Sequence, residues 1–391
     1  MTAMETPPPV PLVHASLGEK ELAAVAEVFS SGWPAGQGPR GKALEAQLAE
    51  RYEVADAVAA SNCGAALHLA LLALGVEPGD EVIVADYTFP APAQAVRYVD
   101  AVPVFADVRA DTGTVDPRSV ADLITPRTVG VIAVDTLGVP ADYGQLQTIA
   151  DRHGLFLVED AACAVGATYR GRQAGALAEV GCLSFHGRKG ATSGEGGALL
   201  ARDPRIGADA RLRSSFGIGS IFDMGKVVGL PIPEFTEIGY NYKLSDIAAA
   251  ILQVQLGRVD ELLARRNAVA AQYTELLADE ELLTVPFVPE DRTHAWQSYV
   301  VTLDAGVDRS AVAAELRGQG IGCGQGAWAT HVQPVFRSRQ KCPVSADLFA
   351  RNLAVPMHAE LTPDQVERVV NALRGAVRTH STATRSTGGA A

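Results

Sequence analysis

Residues 180–189 read VGCLSFHGRK, and this stretch combines a strand pattern with a lysine in the loop that follows. The apolar run from Val180 to Phe185 is typical of a strand that is covered on both faces of a sheet. Loops at the carboxyl ends of parallel strands are where open α/β sheets bind ligands. Lys189 lies in such a loop, where its amine could attack a carbonyl, although a solvated surface lysine is the common alternative.

Similar runs surround this strand and indicate an α/β fold. Strands are predicted at residues 81–86, 102–107, 129–134, 155–159 and 197–202, and helices at residues 65–74 and 143–152. This alternation is typical of a largely parallel sheet, and it predicts a three-layer α/β/α domain.

The pattern changes after residue 246. We predict a long helix at residues 247–277, a strand at 299–303, a helix at 310–317, and a last helix at 362–377 that Thr362 caps. We therefore expect an N-terminal arm at residues 1–16, a large α/β domain at 17–245, a smaller α+β domain at 246–378 and a disordered tail at 379–391.

The composition excludes several classes of protein. The 391 residues include 33 lysines and arginines against 45 aspartates and glutamates, a net charge of −12, and nucleic-acid binding needs clustered cations. No apolar run reaches the ~20 residues that span a bilayer, and no signal peptide is recognised. The five cysteines contain no C-x-x-C pair. We expect a cytoplasmic protein with no nucleic-acid partner, no membrane contact, no disulfide and no metal.

Asp160 comes directly after the predicted strand at residues 155–159. A carboxylate that is buried there needs a cationic partner, because unpaired burial is costly. The ring nitrogen of pyridoxal 5'-phosphate (PLP) would supply that partner, and the ion pair would keep the ring an electron sink. The simpler alternative is that Asp160 caps a short helix over residues 161–164.

Two further segments fit the same cofactor. Residues 61–67, SNCGAAL, place small residues at the start of an apolar helix, where free N–H groups can hold a phosphate. Phe89 follows the strand at residues 81–86, and an aromatic ring there can stack on a planar cofactor. Each signal alone is weak, since many helices begin with small residues and many such rings belong to the core.

In this order and spacing the segments resemble the DegT-type family of PLP-dependent nucleotide-sugar aminotransferases, a branch of the aspartate-aminotransferase fold. The resemblance spans residues 10 to 375 and implies PLP fold type I for the large domain. Its motifs include Gly38-Pro39, Pro78-Gly79-Asp80, Glu159-Asp160-Ala161-Ala162, Ser184-Phe185-His186, Gly194-Glu195-Gly196-Gly197, Gly239-Tyr240-Asn241 and Leu353-Ala354-Val355-Pro356.

The resemblance implies a catalytic role for two residues and a stacking role for a third. Lys189 would bind PLP as a Schiff base and later carry the proton. Asp160 would pair with the ring nitrogen, and Phe89 matches the aromatic residue that stacks on the ring. The implied cycle is ping-pong: glutamate or glutamine converts PLP to pyridoxamine phosphate, which then aminates a keto-sugar.

The resemblance also implies the contacts around the rest of the cofactor. Ser184 and the amides of Gly64 and Ala65 match phosphate contacts. Asn241 matches an asparagine that reaches the phosphate from the neighbouring subunit, which implies a homodimer. Cys163 stands near the phenolic oxygen, where the family commonly has glutamine or histidine, and a thiol is a weaker donor.

Some residues depart from the family or have two interpretations. Cys63-Gly64 replaces the usual Gly-Thr, which removes a hydroxyl contact to the phosphate, and residues 221–233 are idiosyncratic and are expected to shape substrate choice. Four residues are candidate substrate contacts: Trp33, His186, Tyr240 and His331. Trp33 and Tyr240 fit a dimer core equally well, His186 fits packing beside the cofactor loop, and His331 fits a surface position.

Three alternative functions remain open at this point. The acceptor could be a cyclitol or another cyclic ketone of secondary metabolism rather than a nucleotide-linked sugar. A related branch of sugar dehydratases has a histidine in place of the Schiff-base lysine, so Lys189 favours amino transfer. A catalytically silent relative that acts as a regulator is disfavoured because Lys189, Asp160 and Asn241 occur together.

Overall fold

The structure is a computed structural model that describes residues 8–218 and 234–382. The helices in these ranges are α1 (Glu19–Ser31), α2 (Pro39–Tyr52), α3 (Cys63–Ala73), α4 (Ala91–Tyr98), α5 (Pro117–Asp122), α6 (Tyr143–His153), α7 (Pro204–Ser214), α8 (Asp246–Leu256), α9 (Val259–Leu277), α10 (Arg309–Gly318), α11 (Pro343–Arg351) and α12 (Pro363–Thr379). The segment at residues 221–233, which the sequence links to substrate choice, lies outside the described residues.

The strands of the same ranges form one large sheet and smaller ones. They are β1 (Asp56–Ala60), β2 (Glu81–Ala85), β3 (Tyr87–Thr88), β4 (Val102–Ala106), β5 (Thr128–Val134), β6 (Phe156–Asp160), β7 (Thr168–Tyr169), β8 (Arg172–Gln173), β9 (Val180–Ser184), β10 (Gly197–Ala201), β11 (Leu283–Thr284), β12 (Tyr299–Leu303), β13 (Trp328–Ala329) and β14 (Asn352–Val355).

The large sheet has seven strands in the order β1-β10-β9-β6-β5-β2-β4. The five strands from β4 to β9 are parallel, and β10 and β1 join antiparallel at one edge. All six predicted strands occur within one residue of their predicted ends. Asp160 is the last residue of β6 rather than the residue after it.

Helices cover both faces of this sheet, which confirms the predicted three-layer architecture. Val158 faces a buried cluster formed with α3, α4 and α7. Its neighbour Leu157 faces a second cluster formed with α2, α5, α6 and α8. Successive strand residues point to opposite faces, so a strand that is buried on both sides is apolar throughout.

A smaller sheet, β11-β12-β14, lies against α9, α10 and α12. The apolar stripe that the sequence predicts on the last helix is confirmed, since its members are at most 1% exposed: Val366, Val369, Val370, Leu373 and Val377. Thr362 caps α12, and Gln365 completes the capping box. The expected domain boundary after residue 245 stays a prediction.

The single long helix predicted at residues 247–277 is wrong. Two helices, α8 and α9, are separated at Gly257 and Arg258. Glycine is a poor helix former, so the chain can break there at little cost. α8 packs against α1 and α2, whereas α9 packs against α12, so the break lies where the chain passes to the smaller sheet.

The described residues nearest to each end of the chain are packed, whereas the sequence predicts a loose arm and a disordered tail. Val10 is fully buried and forms a parallel bridge with Ile321, so the described part of the N-terminal arm is packed. Ser381 is buried and bridges Val307, while the remainder of the predicted tail, residues 383–391, lies outside the described residues.

The sequence predicts no disulfide bond and no membrane-spanning helix. All five cysteines lie in the described ranges and are free thiols, as predicted. In the same ranges we find no helix with the length and apolarity that crossing a bilayer requires.

Candidate active site

Asp160 is almost completely enclosed at the carboxyl end of β6, with 4% of its surface exposed. Its Oδ1 accepts a hydrogen bond from the Ala162 N–H at 3.1 Å and one from the Cys63 thiol at 3.7 Å. Oδ2 has no hydrogen-bond partner among the described residues. Burial raises the pKa of Asp160, and the Ala162 bond and the charge of Lys189 oppose that rise. A buried carboxylate with a free oxygen suits a cationic donor.

Lys189 lies in the loop between β9 and β10, and its amine is 3.1 Å from the sulfur of Cys163. Burial opposes the charge of the ammonium, but the neighbouring Cys163 and Asp160 outweigh burial and raise the pKa of Lys189. Without a bound ligand the amine is therefore cationic. It must lose a proton before it can attack a carbonyl.

The sheet brings these two groups together. β6 and β9 are parallel neighbours, and Asp160 pairs with Cys182 near the ends of both strands. The loop after β9 then folds back, because the Lys189 N–H donates to the carbonyl of His186 at 2.8 Å. The charge of Lys189 lowers the pKa of Asp160, so the two side chains interact electrostatically.

The start of α3 presents backbone donors near this pair. Asn62 caps the helix, and its side-chain oxygen accepts from the Ala65 N–H at 2.8 Å. The Ala65 amide is therefore already engaged in the structure. The Gly64 amide has no acceptor among the described residues, and the helix dipole makes this end attractive to an anion.

Gly197 sets the distance between the start of α3 and Ser184. It pairs with Ser184 across β9 and β10. A Cβ on Gly197 would lie 2.3 Å from the carbonyl carbon of Asn62, so only glycine allows this approach. The Ser184 side chain, which is 6% exposed, is thereby held beside the helix start.

Phe89 lies beyond the carboxyl end of β2, at the edge of the sheet where β6 and β9 also end. It follows β3 and is 61% exposed, and its ring meets that of Trp328 edge to face at 5.4 Å. Trp328 belongs to β13, which pairs with β3. An exposed ring that is held by a second ring has a free face for stacking.

Asn241 and Tyr240 lie close to the start of α3, since the Ser61 N–H donates to the carbonyl of Tyr242 at 2.7 Å and Ala60 forms a bridge with Lys243. Asn241 is exposed, and its side-chain oxygen accepts from the Lys243 amine at 2.6 Å. The Tyr240 ring stacks on Tyr242 at 5.1 Å and contacts His68 at 4.8 Å. Tyr240 therefore belongs to an aromatic cluster with Tyr242 and His68.

Trp33 and His186 make mainly local contacts. The Trp33 ring lies against Gly38, where a Cβ would come within 2.2 Å of it. His186 Nδ1 accepts from the Arg188 N–H at 3.2 Å, and 46% of the His186 side chain is exposed. His331 differs from both, because it is buried and bound to Asp86.

Arg266 is a residue of this region that we did not predict. It lies on α9, is 6% exposed, and donates to the Lys189 carbonyl at 3.4 Å. It makes no ion pair among the described residues, and burial lowers its pKa to about 10. Its position between Leu262 and Val269 was the available signal, since these residues place it on the apolar face of the helix.

These residues fit PLP, which the sequence resemblance implies. The unpaired oxygen of Asp160 matches a protonated ring nitrogen, and the amine of Lys189 matches an aldehyde. The Gly64 amide and the Ser184 hydroxyl suit a phosphate. The described residues thus offer a partner for the ring nitrogen, for the aldehyde and for the phosphate.

Comparisons with known proteins identify the family of the chain. A sequence profile of the DegT/DnrJ/EryC1/StrS aminotransferase family matches residues 15–374. The chain is 34% identical to the aminotransferase TlmJ from Streptoalloteichus hindustanus, over 95% of this chain and 99% of that one, with a TM-score of 0.89. It is 32% identical to DesV from S. venezuelae, solved in complex with a ketimine intermediate, over 94% and 98%, with a TM-score of 0.87.

A more distant match shows the fold alone. Spr1654 from Streptococcus pneumoniae, solved in a PLP form, is 24% identical over 96% of this chain and 100% of that one, with a TM-score of 0.89. The same protein has also been solved in a PMP form. The predicted fold type I architecture is confirmed by these superpositions.

Proposed function

Because the chain belongs to the DegT/DnrJ/EryC1/StrS aminotransferase family, and is therefore a PLP-dependent transferase, we propose that it moves an amino group from glutamate or glutamine to a keto-sugar. The observation that carries the proposal is the proximity of Lys189 to Asp160. β6 ends at Asp160, the loop after the neighbouring strand β9 carries Lys189, and the charge of Lys189 lowers the pKa of Asp160. We take a nucleotide-linked sugar as the acceptor class. A cyclitol or another cyclic ketone is the alternative acceptor that the substrate panel below distinguishes.

Five residues would hold the cofactor in this proposal. Asp160 binds the ring nitrogen, Lys189 the aldehyde, and Ser184 with the Gly64 amide the phosphate, while Phe89 covers one face of the ring. When bound, PLP supplies an electron sink that stabilises negative charge on the carbon next to the amino group. The Ala65 amide, engaged by Asn62, would join only if the cap rearranges.

Lys189 also carries the proton in this proposal. Its amine is free for this task whenever the cofactor bears the amino group, and general acid–base catalysis by a positioned side chain contributes typically 10²–10⁴-fold. The Cys163 sulfur at 3.1 Å orients the amine without a strong hydrogen bond. Asp160 holds its charge within an enclosed site, where electrostatic interactions are stronger than in water.

The donor and the acceptor would use the same site in turn, which is a ping-pong mechanism. One amine, Lys189, and one carboxylate, Asp160, serve both halves of the reaction. Trp33, His186 and Tyr240 are possible contacts to substrate, and His331 lies where the acceptor could reach it.

We further propose that the enzyme is a homodimer in which Asn241 reaches the phosphate in the neighbouring subunit. Asn241 is exposed in the single chain. Three large apolar side chains are exposed as well, at 47%, 66% and 79%: Phe216, Phe235 and Ile238. Phe235 and Ile238 precede Asn241 closely in sequence, and Phe216 follows Ser215, which forms a bridge with Asn241. Exposed apolar groups of this size beside a polar side chain are typical of an interface.

The proposed function is tested with the protein loaded with PLP. Glutamate or glutamine is supplied with a panel of keto-sugars, cyclitol ketones and other cyclic ketones, and products are scored by mass for gain of an amine. We expect amination of a keto-sugar, and none with Lys189→Ala. The matched control Lys20→Ala, at an exposed position of α1, should retain full activity. Release of a dehydrated sugar without amine gain would instead identify a dehydratase.

A further inference from the structure

Asp86 and His331 form a buried hydrogen-bonded pair that the cofactor site does not use. Asp86 is completely buried after β2, and the His331 side chain is 9% exposed. The His331 backbone N–H donates to Oδ1 of Asp86 at 2.6 Å, and its Nδ1 lies 2.7 Å from Oδ2. Ser345 donates its hydroxyl to the same Oδ2 at 2.5 Å. Three hydrogen bonds thus converge on one carboxylate.

This arrangement selects one tautomer of His331. A carboxylate accepts hydrogen bonds, so the ring nitrogen that faces it must carry the proton. In the neutral ring, Nε2 then has a lone pair and is an acceptor. Among the described residues, Nε2 has no hydrogen-bond partner. In the neutral ring, the bond to Asp86 therefore makes Nε2 of His331 an acceptor, and no described residue donates to it.

The pair lies at the same end of the sheet as the cofactor residues. Val84 and Val158 are level with each other across β5, since both pair with Ile132. Asp86 comes two residues after Val84, and Asp160 comes two residues after Val158. Since β5 lies between β2 and β6, the backbones at Asp86 and Asp160 are roughly 10 Å apart, at ~4.8 Å per strand.

The chain after β13 carries His331 to this end. β13 pairs with β3, and Trp328 of β13 contacts Phe89. The Thr330 N–H donates to the carbonyl of Asp86 at 3.0 Å, which fixes the turn that follows. His331 therefore lies at the same edge of the sheet as Phe89, which is exposed.

A metal ion is the other use for such a cluster, because the ligand atoms of Asp86, His331 and Cys342 lie within 4.8 Å of one another. Both oxygens of Asp86, however, already accept hydrogen bonds. Burial and the nearby Asp86 and Asp107 raise the pKa of the Cys342 thiol, so it stays protonated and is a poor ligand. The hydrogen bonds account for the cluster without an ion.

We propose that Asp86 is a positioning residue that fixes His331 so that Nε2 accepts a hydrogen bond from a hydroxyl group of the keto acceptor. The inference rests on the proposed function and narrows its substrate class to polyhydroxylated ketones. An acceptor at Nε2 requires a donor on the substrate, which a hydroxyl group supplies and an ionised phosphate does not.

The first test separates the two half-reactions. With His331→Ala and with Asp86→Asn, we expect the KM for the keto acceptor to rise about tenfold, as for the loss of one useful hydrogen bond. The half-reaction with the amino donor, followed by the cofactor absorbance alone, should keep its rate. Equal slowing of both halves would indicate a structural role and overturn the proposal.

The second test needs no activity. The ¹⁵N spectrum of the histidines in the full chain reports which ring nitrogen of His331 is protonated. We expect the Nδ1–H form in the native protein and a mixture in Asp86→Asn, since an amide can donate as well as accept. Ser345→Ala is the matched control, which removes one bond to Asp86 and should leave the tautomer unchanged. An Nε2–H form in the native protein would refute the inference even if amino transfer is observed, and an Nδ1–H form without amino transfer would refute only the proposed function.

Discussion

The sulfur of Cys163 lies 3.1 Å from the amine of Lys189, so a thiol is the direct neighbour of the proposed nucleophile. A thiol is a weak hydrogen-bonding group, yet this contact helps to raise the pKa of Lys189 against the effect of burial. The identity of residue 163 therefore sets the pH at which the amine becomes reactive.

Replacing Cys163 should shift that pH. In Cys163→Ala we expect the pKa of Lys189 to fall, because burial then acts with less opposition. We measure by absorbance, from pH 6 to 10, the rate at which the cofactor-free protein combines with PLP. This rate increases with pH as the amine loses its proton, and in the variant the increase should begin at a lower pH than in the native protein. Cys323→Ala, at a buried cysteine of the smaller sheet, is the control and should leave the profile in place. An unchanged profile in Cys163→Ala would contradict the assigned contact.

Removing the charge of Asp160 should slow the reaction more than it affects folding. We expect Asp160→Asn to lower kcat by about 100-fold or more, in the range seen when a preorganised electrostatic partner is lost. The circular dichroism and melting temperature should stay close to native values, since the amide has the same shape. Asp151→Asn, on the exposed side of α6, should keep its activity. A kcat within threefold of the native value for Asp160→Asn would exclude the proposed role.

Gly197 should tolerate no side chain. In Gly197→Ala the new Cβ would overlap Asn62 and push α3 away from Ser184. We expect a loss of about 1–3 kcal/mol in the free energy of unfolding, as for overpacking, together with weaker PLP binding in titrations. Gly318→Ala has open space around its Cβ and serves as the control. Native PLP affinity in Gly197→Ala would show that the helix start does not hold the phosphate.

Mixed dimers should test the role of Asn241. Lys189→Ala and Asn241→Ala should each be inactive or nearly so as pure proteins. If Asn241 acts across a two-fold interface, refolding the two variants together should restore about a quarter of the native activity, because half of the dimers are mixed and each has one intact site. Refolding each variant alone is the control. No recovery in the mixture would mean that both residues act within one chain.

The stability of the protein should fall in mild acid because of His294. Burial lowers the pKa of His294 to about 3, against about 6.5 for an unfolded chain. Between these values the unfolded chain binds a proton that the folded chain does not, so the free energy of unfolding decreases as the pH falls. In His294→Gln, the loss between pH 7 and pH 5 should be smaller by about 2 kcal/mol in urea titrations. The exposed His153 gives a control, His153→Gln, in which the loss should match the native protein. An unchanged loss in His294→Gln would contradict this assignment.

The sequence was sufficient to predict six of the seven strands of the central sheet, because these strands are apolar runs. β1 was not predicted, since its sequence DAVAA is rich in alanine, which has little preference for strands. It is a strand because it pairs with β10. The break at Gly257 was not predicted, because a lone glycine does not by itself end a helix. The helix ends there because α8 packs against α1 and α2, whereas α9 packs against α12.

The candidate site was predictable in its local parts and not in its long-range ones. Lys189 and Asp160 follow strand patterns that are visible within ten residues. Arg266 on helix α9 contacts the loop that carries Lys189, and the two residues are 77 positions apart in sequence. The Asp86–His331 pair is of the same kind, and no local pattern specifies which distant partner a buried aspartate will find.

That pair also has a consequence for how the protein is made. Asp86 and His331 are 245 residues apart. At the usual elongation rates, roughly 12 to 50 s pass on the ribosome between the synthesis of the two residues. During that interval the aspartate cannot be enclosed without its partner, so the end of β2 must stay hydrated. The nascent chain therefore cannot enclose Asp86 at the end of β2 until His331 and Ser345 have been synthesised.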